Sequence, residues 1–155
     1  LSLSSQGGCD VDFLIQSLFV WALTLTGYED PNYLPDIKAV SHQTLATTLC
    51  KSSYCTAVAY YDKNTETIFF DNRMDIKTDD GARSFIVHEM VHFLQHKNGK
   101  INSEELDCKT RIEIEREAYR VQQFFLKEHH KDTYQIDMAM AVLPSLCSEQ
   151  TENLN

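Results

Sequence analysis

A single-domain α+β fold is predicted from three observations. An apolar stretch of helical length lies near the start, two β-rich runs separated by a turn occupy the middle, and two more stretches with helical periodicity follow. The chain of 155 residues can bury a real core, since folded chains of roughly 150 residues bury about 70% of their unfolded surface. Residues 1–155 are therefore read as one domain, with 1–8 and 148–155 as flexible ends. Hydrophobic residues at 43% and charged residues at 24% are ordinary for a globular protein. A net charge of −9 argues against a surface that tracks phosphates, so no nucleic-acid partner is expected. The chain is expected to be a monomer. The same charge favours basic or neutral substrates, although net charge is a poor guide to a cleft.

Taken in order, Asp10 caps a buried helix that runs to about Thr26, with Gly27 as its stop. Its apolar run from Phe13 to Leu25 is broken by Gln16 and Ser17 and falls short of the ~20 residues needed to span a bilayer, so no transmembrane segment is expected. Gly27 to Asp36, with two prolines, reads as a loop, followed by a short strand at Ile37 to Val40 and a helical turn around TLATTLC. Thr56 to Tyr61 and Thr67 to Phe70 flank the turn-like DKNTE and predict a hairpin. Its alternation makes half of Tyr60, Tyr61, Phe69 and Phe70 core, leaving the others to line a pocket. Thr78, Asp79 and Asp80 offer N-caps to a helix that Gly99 ends. A second long helix spans roughly Lys109 to Glu128, with His129 to Lys131 closing it in solvent, and MAMAVLPSLC reads as a short final helix stopped by Pro144.

Five cysteines, at 9, 50, 55, 108 and 147, favour an oxidising compartment, secreted or periplasmic. The opening Leu1 is read as the start of a trimmed or mature form. Cys50 and Cys55 are spaced for a small disulfide loop rather than a zinc knuckle; the remaining connectivity is open.

Chemistry concentrates in FIVHEMVHFLQH, residues 85–96. On a helix, His88 and His92 lie about 40° apart and one turn along, so both imidazoles reach one ion, while Glu89 lies about 100° round, beside it. This H-E-x-x-H pattern binds zinc through its histidines and uses the glutamate as general base toward a metal-bound water. With this composition it arises by chance in roughly one or two shuffles per hundred. The alternative is that the histidines cap, pack or hydrogen-bond locally. Val87, Met90 and Leu94 are expected to anchor the helix inward. A catalytic zinc needs a third protein ligand. His96 lies about 12 Å along the helix from His88 and misses the spacing that a glycine turn would require, so it is read as a polar cleft neighbour. In RIEIEREAYRVQQFF, Glu113 and Glu117 share a face with Arg116, Arg120 and Gln123 and read as solvated. Glu115 falls on the other side among Ile112, Ala118, Tyr119, Gln122 and Leu126, where a carboxylate needs a compensating charge such as Zn²⁺; the alternative is pairing with a Lys or Arg.

HEMVH followed by EREAY resembles the zincin metallopeptidases of the gluzincin type over about residues 56–126. The resemblance implies a zincin-like fold, with a small antiparallel sheet or hairpin on the H-E-x-x-H helix and a second, ligand-bearing helix. It implies hydrolysis of a peptide or protein substrate, with His88, His92 and Glu115 holding Zn²⁺ and Glu89 as base. It also implies an edge strand that binds extended peptide, with TIFFDN as the analogue. Where the family often has an Asp that orients a ligand histidine, this chain has Tyr119, a phenol able to donate to the site or to a tetrahedral intermediate. Two other functions compete with hydrolysis: a zincin-like metal-binding module that keeps the metal for folding or recognises a partner without turnover, and a non-catalytic secreted protein held by disulfides.

Overall fold

The computed structural model describes residues 3–49, 57–101 and 106–147. Thr56, Cys50, Cys55 and the expected flexible residues 1–2 and 148–155 lie outside that set, while the backbone of 3–8 is helical.

The architecture is mixed α+β. Helix α1 (Leu3–Thr26) begins earlier than the Asp10 start expected, because Gly7 and Gly8 are weak helix formers without being stops. It ends where Gly27, at φ 70°, donates its N–H to the Leu23 carbonyl. Strand β1 (Asp36–Val40) leads to a single turn, α2 (His42–Thr44), capped by Ser41 and continued by a π-helical turn at Leu45–Leu49. Strands β2 (Ala59–Asp62) and β3 (Thr67–Asp71) form the expected hairpin. Helices α3 (Asp80–Lys97), α4 (Cys108–Glu128) and α5 (Tyr134–Val142) complete the chain.

The sheet differs from the antiparallel one expected. It is mixed, in the order β1-β3-β2, with Ile37 beside Ile68 in a parallel pair and Tyr60 opposite Phe69 in the antiparallel one. The strand predicted at Ile37 to Val40 docks on the far side of β3, so TIFFDN supplies the central strand and not an edge. Among the described residues, no strand pairs with the outer side of β2. Alternation holds as expected: Tyr61 and Phe70 enter the core while Tyr60 is exposed.

Helix α3 is the centre of the molecule, packed against α1, α4 and the hairpin. Asp79 is the cap actually used, accepting from the Gly81 N–H, and the helix closes on Gly99 with Lys100 N–H donating to the Gln95 carbonyl. Val87, Met90, Val91, Phe93 and Leu94 are fully buried, joining Phe19 of α1, Ile68 of β3 and Phe125 of α4. Helix α4 is capped by Asp107, and a disulfide joins Cys108, its first residue, to Cys147 beyond α5.

Candidate metal centre

Burial of α3 on almost every side leaves its polar groups at 88, 89 and 92 inside the protein, with residue exposures of 7, 8 and 9%. One ligand atom each from His88, Glu89 and His92 lie within 4.8 Å of one another. Helix α4 crosses beside them and brings Glu115 to both imidazoles. One carboxylate oxygen lies 2.9 Å from His92 Nε2 and the other 3.3 Å from His88 Nε2. The structure thus brings together every ligand candidate read from the sequence. Two carboxylates lie near the imidazoles. Glu115 is the one in contact with both Nε2 atoms, whereas Glu89 stands beside them with one oxygen, Oε2, buried and without a hydrogen-bond partner.

The hydrogen bonds behind the histidines fix which nitrogen carries the proton. The Ser84 hydroxyl donates to the Gly81 carbonyl and so accepts from the Gln122 amide nitrogen, which turns the Gln122 oxygen toward His88 Nδ1 at 2.9 Å. The Gln95 amide nitrogen donates to the Ile114 carbonyl and to Glu117, which turns its oxygen toward His92 Nδ1 at 2.8 Å. Each Nδ1 is therefore the donor, and each Nε2 faces Glu115 and the cleft, free to carry a second proton or to bind a metal ion. Two imidazole nitrogens and a carboxylate meeting at one point require a positive charge between them, supplied by protons or by a metal ion.

Electrostatics carry the same sign. Burial works against a charged His92, but the hydrogen bond and charge of Glu115, with Glu89 and Gln95 adding, push it up to about 9. Burial would raise Glu115, yet hydrogen bonds and charges from the two imidazoles hold it well below the usual carboxylate range. Burial pushes Glu89 upward despite the attraction of His92 and His88. Two imidazole nitrogens and a carboxylate are a donor set that suits Zn²⁺, and beside them the buried Glu89 Oε2 has no hydrogen-bond partner among the described residues.

Tyr119 stands edge-on to His88, ring centroids 4.6 Å apart, and burial raises its phenol, with the charges of Glu115 and Glu89 adding. His96 turns away and shares a 2.7 Å hydrogen bond with the Tyr61 hydroxyl. Glu113 is exposed as expected, but Glu117 is not a solvated surface group: it accepts from Tyr28 and from Gln95, because α1 and its following loop pack over that face of α4. Gln95 and Gln122, both buried, went unassigned in the sequence; the available signal was an amide in an otherwise apolar helix face. A cleft of about 780 Å³ opens over Glu89, His92 and Glu115, between the β2–β3 hairpin and the start of α4. No helix among the described residues is long and apolar enough to cross a membrane.

No curated protein and no solved structure matches the chain. A family profile does, over residues 8–152, and with nearly the whole length covered the chain belongs to the family described as Domain of unknown function (DUF6647).

Proposed function

We propose that this protein is a zinc-dependent hydrolase of peptide bonds, zincin-like in its site, in which His88, His92 and Glu115 hold the metal and Glu89 is the general base. The observation that carries the reading is the pair of Nε2 atoms, each imidazole oriented by a glutamine at its Nδ1, converging on Glu115 beside the orphaned oxygen of Glu89. Zinc bound there would polarise a substrate carbonyl and lower the pKa of a water toward neutrality. Glu89, beside the two histidines, would be the base that takes a proton from a water there and returns it to the departing amine nitrogen. Tyr119, packed on His88, is the phenol available to the developing oxyanion. Strand β2 contributes Tyr60 to Asp62 to the same cleft, and its outer side, unpaired by any strand among the described residues, would offer main-chain hydrogen bonds to an extended peptide. The Cys108–Cys147 disulfide suits a protein exported from the reducing cytosol.

The test is zinc content together with turnover of a proteome-derived peptide library. The parent should bind one zinc and cleave; Glu89→Gln should keep the zinc and lose roughly two or more orders of magnitude in rate. Protein without stoichiometric zinc, or a Glu89→Gln variant as active as the parent, would defeat the proposal. Zinc binding with no cleavage by either would leave a non-catalytic metal module.

A further inference from the structure

Outside the ligand cluster, the described lining of the cleft carries two cations and one carboxylate. The chain has a net charge of −9, yet Lys63 and Arg111 both line the cleft, and among the described residues no carboxylate pairs with either. Among the described residues, the one carboxylate lining the cleft outside the Glu89, His92 and Glu115 cluster is held within its own turn. Asp62 accepts from the Asn64 N–H and the Thr65 hydroxyl, and Glu115 spends both oxygens on the histidines. That second commitment matters for Arg111. It stands one helical turn before Glu115 on the same face of α4, within reach of an i,i+4 ion pair, and with Glu115 turned toward the histidines the exposed guanidinium has no ion pair among the described residues. Aliphatic side chains at Ile101, Ile112, Leu143 and Leu146 share the cleft with it.

Building on the hydrolase reading above, we propose that the cleft selects acidic peptides, with Arg111 receiving a substrate carboxylate through its planar guanidinium while a neighbouring bulky aliphatic side chain packs on the apolar wall. Lys63, from the hairpin, adds a second positive charge. A guanidinium suits this task because it meets a carboxylate with two parallel N–H donors and stays charged at any working pH. The local field of the cleft, and not the net charge, then sets the substrate class.

The experiment uses the full chain loaded with zinc. Peptides cleaved from a random library are remade with Glu, Gln or Lys at each position flanking the scissile bond, and kcat/KM is measured for the parent, Arg111→Gln and Arg111→Glu. The parent should favour Glu over Gln by about tenfold at one position, the value of one charge-assisted contact, expressed mainly in KM. Arg111→Gln should erase that preference and Arg111→Glu should turn it toward Lys. Thermal midpoints confirm that both surface variants fold. Equal cleavage of Glu and Gln peptides by the parent, or a preference that survives Arg111→Glu, overturns the acidic selectivity while the hydrolase stands. Failure of the parent to cleave any library peptide removes both.

Discussion

Each candidate ligand histidine is steered by a carboxamide, and the choice of amide over acid has a physical reason. The Gln95 nitrogen faces the Ile114 carbonyl and Glu117, two acceptors, so a carboxylate in its place would meet like charge in a buried site. Gln95→Leu and Gln122→Leu should each weaken zinc binding by about 10- to 100-fold, measured by competition with a chelator, because the freed imidazole can rotate or change tautomer. Gln95→Glu should not rescue; unchanged affinity in the leucine variants would mean the amides do not orient the ligands. His88, Glu89 and His92 were legible in the sequence because helical spacing alone places them, and Glu115 because a carboxylate on an apolar face needs a partner. The glutamines were not legible, since their partners depend on how α3 crosses α4. Glu117 was misread for a similar reason: i,i+4 rules see its own helix and miss Tyr28, which reaches it from far along the chain.

At the level of elements, helix ends follow the caps and stops written in the chain, with one departure from the usual glycine. Helix α4 closes with His130 in the left-handed region at φ 57°, and Lys131 N–H donates back to the Leu126 carbonyl. His130→Gly should therefore stabilise the fold by about 0.5–1 kcal/mol in chemical denaturation, since the side chain is exposed and only the backbone preference changes. The disulfide acts at longer range. It ties the residue that opens α4 to the segment after α5, across a sequence separation of 39. Replacing Cys108 and Cys147 with serine should cost about 2–4 kcal/mol, with reduction of the parent giving a matching loss. Periodicity and turn residues made the helices and the hairpin readable. The parallel docking of β1 on β3 was not, because alternation fixes which face a strand buries and says nothing about which neighbour it finds.

Across the whole molecule, acid stability should depend on the junction where the sheet meets the helical turn at α2. Asp71, 1% exposed at the end of β3, accepts from the Arg73 side chain and backbone N–H, and His42 Nδ1 lies 3.2 Å from it. The hydrogen bonds from Arg73 outweigh burial and hold its carboxyl down at about 2, against an ordinary 3.8. A carboxylate depressed on folding contributes stability that is present above 3.8 and disappears as the pH falls through about 2. A shift of this size corresponds to about 2 kcal/mol, and water around the exposed guanidinium should reduce it to about 1 kcal/mol. Asp71→Asn should therefore unfold at lower urea than the parent at neutral pH, with the gap narrowing as the pH is taken below 3.8 and closing near 2. A gap that stays constant over that range would show that the asparagine loses packing or hydrogen bonds instead of charge, and the junction would then be held by shape alone.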